Sequence, residues 1–199
     1  MLVHNVDGLD DKKLNIYRKK SKKTQILLYD TQRRVDDFIN KIKYRKNGEY
    51  EDIPHFVISK LGAIYQLFDT DYSSKTFDIP NVDRKIIKIA IENLGWLHKN
   101  TITGFMNNWI GDTYRSEPHI RNWRNYFFWD KYNESQYDSI SKLCESLCEK
   151  HKIEKKSMPS HALNNGVSKF NGIVYKSNYS DIYTDINPSF DFTIFFKNG

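Results

Sequence analysis

The sequence has no hydrophobic run that approaches the ~20 residues a transmembrane helix needs. Its start, Met1-Leu-Val-His-Asn-Val-Asp, also lacks a charged segment followed by an apolar one. The expectation is a soluble chain with no export signal of its own. Cysteine is scarce. Cys144 and Cys148 lie four apart in a helical pattern, on one face and poorly placed for a disulfide. They are read as buried core thiols of a chain that folds in a reducing compartment. Internal repeats and low-complexity segments are absent. So are HExxH, paired CxxC, P-loop, GxSxG and GxGxxG motifs. No two of the six histidines, His4, His55, His98, His119, His151 and His161, have close metal-ligand spacing. Local motifs alone leave the function open.

What is present is a 199-residue chain with 39% hydrophobic and 15% aromatic residues, enough for one domain with a real core. The aromatic share points to aromatic-rich packing or an aromatic-lined groove, and not to disorder. The net charge is +6, and much of the excess sits in Lys12 to Lys23, which carries seven basic residues and no acid. Such a run is either a solvated arm or a contact for a polyanion, whether nucleic acid or an anionic wall polymer. Residues 1–23 read as a basic extension, and residues 24–199 as the domain proper.

Along that domain, Gln25-Ile-Leu-Leu-Tyr is a first strand. Thr31 to Tyr44 follows as a helix, with Val35, Phe38, Ile39 and Ile42 at helical spacing and Thr31 as a possible cap. His55 to Phe68 reads as a hairpin around Lys-Leu-Gly, and Lys85 to Gly95 as another strand. Residues 100–132 read as loop-like and aromatic. Asn133 to Lys150 is a helix that buries Ile140, Leu143, Cys144, Leu147 and Cys148, with Asn133 or Ser135 as its cap. The fold class is α/β, a mixed central sheet flanked by helices.

Polar residues that end strands can converge on one cleft, which selects Tyr29, Glu92, His161 and Asp185. Asp30 faces the other side of its strand from Tyr29. Two carboxylates and a histidine suit a zinc hydrolase, where three protein ligands leave a position for water; ordinary strand-end polarity is the alternative.

Four segments, in order along the chain, carry a resemblance. They are IPHFVISKLGAIYQLFD, IAIENLGWL, NWRNYFFWDKYNESQYDSISKLCESLCEKHKI and YTDINPSFDF. From Thr24 to Phe196 the chain resembles the zinc-dependent N-acetylmuramoyl-L-alanine amidases, whose fold peptidoglycan recognition proteins share. The nearest flavour is that of bacteriophage endolysins. The resemblance implies peptidoglycan as partner rather than nucleic acid, action at the bacterial cell wall, a free or virion-associated protein, and zinc as cofactor. It places metal ligands at His161 and Asp185, and a third at Tyr29, where the family has histidine. It makes Glu92 the base or orienter of the metal-bound water. Tyr183 stands where some members hold an oxyanion-stabilising lysine. His55 would pack or line the cleft, and Trp109, Trp123 and Trp129 would line the sugar–peptide groove or fill the core. Two functions follow: hydrolysis of the amide between N-acetylmuramic acid and L-alanine, or a pseudo-amidase that has kept the groove and lost the metal.

Overall fold

The computed structural model describes residues 2–6, 14–44 and 52–195. The chain opens with strands β1 (Val3–Asn5), β2 (Ile16–Tyr17) and β3 (Gln25–Asp30), followed by helix α1 (Val35–Tyr44). Next come β4 (Phe56–Ile58), β5 (Ile64–Gln66), β6 (Ser73–Ser74), the short helix α2 (Pro80–Asp83) and β7 (Ile86–Ile91). Then follow β8 (Trp96–Lys99), β9 (Met106–Asn107), β10 (Thr113–Tyr114), β11 (His119–Trp123) and β12 (Tyr126–Trp129). Helix α3 (Glu134–His151) and β13 (Gly172–Tyr175) complete the long elements.

Six strands form the main sheet in the order β1-β5-β4-β7-β3-β13, and only the β4–β5 hairpin pairs antiparallel. Every residue of the central strands β3 and β7 is buried. Both sheet faces are covered there, which is why these strands read as apolar runs and not as alternating patterns. On one face the helix α3 residues Ile140, Leu143, Cys144, Leu147 and Cys148 join Leu28, Ile58 and Ile91 in the larger core. On the other, Phe38 and Ile42 of α1 pack with Tyr29, Val57 and Ala90. The register explains this division: Tyr29, Ala90 and Val57 are lateral partners in parallel strands and so share a face.

Helix α1 begins at Val35 and not at Thr31, whose hydroxyl instead donates to the Arg33 carbonyl at 2.5 Å. Acids Asp36 and Asp37 in its first turn and Lys41 and Lys43 in its last match the helix dipole. Asn133 caps α3. Its Oδ1 accepts from the Gln136 amide at 3.0 Å, and Gln136 Oε1 accepts from the Asn133 amide, which satisfies two helix-end donors reciprocally.

Two expectations change. The described part of residues 1–23 is woven into the domain: β1 pairs with β5, β2 pairs with β6, and Leu14 is buried. Lys23 of the basic run is 1% exposed, with its ammonium donating to the Tyr72 and Arg84 carbonyls and to Ser73 Oγ. Burial lowers its pKa to about 7. Lys12 and Lys13 lie outside the described residues. The second change is at residues 100–132, which are not loop-like. With β8 they build a five-stranded antiparallel sheet, β10-β9-β8-β12-β11. Arg124 and Asn125 both take positive φ (49° and 68°) between the paired residues Trp123 and Tyr126, the two-residue turn a twisted hairpin prefers.

Candidate functional site

Strands β3, β7 and β13 run parallel, so their C-terminal ends open at one edge of the sheet, where ligands of such folds bind. Tyr175 pairs with Leu28, so the next residue, Lys176, stands beside Tyr29. A cleft of about 430 Å³ forms there, lined by Tyr29, Asp52, Trp96, Trp109, Tyr126, Lys176, Tyr183 and Asp185 among others.

Its charge centre is a chain of ion pairs. Asp52 Oδ2 lies 3.0 Å from Lys176 Nζ, and Oδ1 lies 2.8 Å from Lys88 Nζ. Burial pushes the Asp52 carboxyl up, but the two ammoniums overcome it and hold its pKa at about 2. Burial acts on Lys176 in the opposite sense to Asp52 and Asp185, whose charges hold the ammonium well above the usual lysine range. Lys176 Nζ also lies 4.9 Å from the Tyr29 ring centre and 5.0 Å from that of Tyr183, within cation–π range of both. Asp185 is buried, and its Oδ1 accepts from Gln32 Nε2 at 3.2 Å. Desolvation raises its pKa, against the pull of Lys176.

Behind the cleft lies a buried polar layer. Tyr132 donates its hydroxyl to Asp30 Oδ1, and Asn187 Nδ2 donates to Asp30 Oδ2 at 3.3 Å. Desolvation, and then the charge of Asp185, push the Asp30 carboxyl well above its usual range. Asn187 also reaches Asn93 Oδ1 at 2.9 Å, tying the closing segment to the end of β7.

Of the residues selected from sequence, Tyr29, Tyr183, Asp185 and Trp109 line the cleft. The others lie elsewhere. Glu92 Oε2 accepts the Lys60 amide at 2.7 Å and faces a separate pocket of about 310 Å³ with Lys60 and Asp130. His55 is completely buried. Its Nδ1 accepts the Lys88 amide at 2.9 Å, so Nε2 carries the proton and donates to the Tyr72 carbonyl at 3.1 Å. Burial holds it neutral. His161 packs its ring edgewise on Trp123, 4.4 Å between centres, with Phe192 at 5.4 Å. Its Nδ1 is buried without a hydrogen-bond partner among the described residues. Burial, then Arg121 and Arg124, bring its pKa down to about 4. Trp129 is fully buried and donates from Nε1 to the Arg121 carbonyl at 2.8 Å, while Trp123 is wedged against it with Arg124 on its ring.

Sequence reasoning missed Lys176, Asp52, Trp96 and Tyr126. The last two stack on one another at 4.5 Å and 16°. Lys176 carried a signal: Gly-Ile-Val-Tyr before it is an apolar run of strand type, as in Gln25 to Asp30.

These side chains do not suit zinc, which prefers thiolate, imidazole and carboxylate. The cleft offers phenols and three carboxylates, but Asp52 is paired with Lys88 and Lys176, and Asp30 is engaged by Tyr132 and Asn187. The strand end next to Tyr29 also brings an ammonium that repels a divalent cation. The His161 imidazole stands against Trp123 instead. Among the described residues, no three His, Cys, Asp or Glu side chains are grouped to hold a metal ion.

Compared with known families, residues 4–169 match the sequence model described as N-acetylmuramoyl-L-alanine amidase. Comparison with curated proteins gives no significant match. Among solved structures, the ectodomain complex of peptidoglycan recognition proteins LCa and LCx, bound to tracheal cytotoxin, superposes with a TM-score of 0.55 at 11% identity. It covers 95% of this chain and 92% of that one. A mutant endolysin from Bacillus subtilis gives a TM-score of 0.50 at 16% identity over 87% and 82% of the two chains. The chain covers 48% of the E. coli amidase AmiD, solved with an anhydro-muropeptide substrate, using 69% of its own length, at 13% identity and a TM-score of 0.45. At these identities the likeness to the recognition-protein complex and the Bacillus endolysin is one of fold.

Proposed function

Because the chain belongs to the N-acetylmuramoyl-L-alanine amidase family, we propose that its cleft binds fragments of bacterial peptidoglycan. The observation that carries this reading is one cleft holding both aromatic surface and fixed charge. Trp96, Tyr126 and Trp109 offer rings to sugar faces, and Lys176 offers an ammonium to the carbonyl or carboxylate oxygens of a stem peptide. A ligand site in a protein of this fold agrees with the reading, since the complex of peptidoglycan recognition proteins LCa and LCx is bound to tracheal cytotoxin.

The family match by itself favours hydrolysis of the amide between N-acetylmuramic acid and L-alanine. The phenol and ammonium at the strand ends favour binding. The setting is the bacterial cell wall, reached as an endolysin-like or virion-associated protein. Among the described residues, no helix is long and apolar enough to cross a membrane.

The test is titration calorimetry with a soluble disaccharide-tetrapeptide muropeptide, run beside chromatography of purified sacculi for released stem peptide. Binding without release is expected. Stoichiometric release of free stem peptide would establish the amidase instead, and absence of binding would sink both readings.

A further inference from the structure

We infer that Lys176 is the ligand-oxygen-binding group of the cleft, a resident cation that holds a carbonyl or carboxylate of the muropeptide's peptide part without any metal ion. The inference rests on the peptidoglycan-binding reading and names the group that performs it.

Placement comes first. The parallel register of β13 on β3 sets Lys176 beside Tyr29, at the strand ends where the cleft opens. Its side chain is only 14% exposed, so the ammonium is mostly withdrawn from water. It is also fixed. Asp52 holds one side at 3.0 Å, and the Tyr29 and Tyr183 rings flank it at 4.9 and 5.0 Å. Asp52 is itself anchored by the fully buried Lys88, whose ammonium also donates to the Lys75 carbonyl at 3.0 Å. The Lys88–Asp52–Lys176 row therefore presents an ammonium already oriented before any ligand arrives.

Donor accounting points the same way. An ammonium carries three N–H donors, and Asp52 is the hydrogen-bond acceptor that meets Lys176 among the described residues. A mostly buried ammonium left short of acceptors is costly, so the donors that Asp52 does not use call for an oxygen from the cleft side. The nearby acid in the cleft, Asp185, has its Oδ1 engaged by Gln32. A ligand oxygen with partial or full negative charge completes this site. A divalent cation does not, because it would sit against a fixed positive charge.

The experiment compares wild type, Lys176→Met, Lys176→Arg and the double variant Tyr29→His/Lys176→His. Each is titrated with the same muropeptide in buffer containing a chelator, and each is assayed for bound zinc after loading and desalting. Wild-type affinity is expected to be unchanged by chelation. Lys176→Met should bind about tenfold or more weakly, the loss expected for one charge-assisted hydrogen bond. Lys176→Arg should recover part of it. The double variant, which sets two imidazoles beside Asp185, should take up about one zinc per chain where wild type takes none. Loss of wild-type binding on chelation, or Lys176→Met binding as tightly as wild type, overturns the inference and leaves the peptidoglycan reading standing. A wild type that binds no muropeptide overturns that reading and with it the ligand assigned to Lys176. The zinc assay serves even where Lys176→Met fails to fold: stoichiometric zinc on wild type overturns the resident-cation assignment by itself.

Discussion

Replacing Asp52 by Asn is the sharpest probe of the electrostatic frame beneath the cleft. In the wild type, one carboxylate lies 2.8 Å from Lys88 Nζ and 3.0 Å from Lys176 Nζ, and the Lys88 side chain is 1% exposed. The folded carboxyl titrates at about 2, below the ordinary value of 3.8. The unfolded chain therefore binds more protons than the native one between those values, and stability rises with pH through that window. The depression corresponds to roughly 2 kcal/mol, fully present above about pH 4 and lost as pH falls toward 2. Removing the charge also leaves the Lys88 ammonium buried beside neutral oxygens only, the Lys75 carbonyl and the new side-chain amide, and a buried pair that loses one charged partner costs about 3–5 kcal/mol. Urea melts of wild type and Asp52→Asn at pH 7, 4, 3 and 2.5 measure both effects. The variant should be about 3 kcal/mol less stable at pH 7, and the gap should narrow on acidification. A variant within ~0.5 kcal/mol of wild type at pH 7, with a parallel pH profile, would refute the ion-pair row.

Other sites give independent checks. Gly62 sits at φ +80° in the β4–β5 turn, and a Cβ there would meet the Ser135 carbonyl at 2.7 Å, so Gly62→Ala should cost about 1–3 kcal/mol in a denaturant melt. An unchanged melt would mean that the turn does not dock on α3 as described. His161→Phe should leave muropeptide affinity within about twofold, because the ring is neutral at pH 7 and packs on Trp123, outside the cleft. A tenfold loss would return His161 to the site. Trp96→Ala should weaken muropeptide binding by about fivefold or more, since it removes a ring that faces the cleft and stacks on Tyr126. Equal affinity would place the sugar elsewhere.

Legibility in the sequence follows the range of the interaction that fixes each feature. Strands β3 and β7, the β4–β5 hairpin and α3 are readable because apolar runs, a Gly turn and a capping Asn are local signals. The five-stranded sheet is not, because its strands hold two to five residues, too few for a period to emerge among aromatics. The cleft was legible in part. Tyr29 lies at the end of a readable strand and Asp185 in one of the four segments that carry the family resemblance, and both line it. Lys176 joins them only because β13 pairs with β3 from the far end of the chain, a tertiary choice that no spacing encodes. His161 and Glu92 show the converse. Both are chemically suited to a metal centre, yet packing on Trp123 and a bond to the Lys60 amide direct them elsewhere.

The central claim, a peptidoglycan-binding cleft that uses its own ammonium in place of a metal, is tested most directly by one titration. Protein stripped with chelator and desalted is titrated with the disaccharide-tetrapeptide, with and without added zinc. Equal affinity in the two titrations is the predicted result, and binding that appears only with zinc would contradict the account.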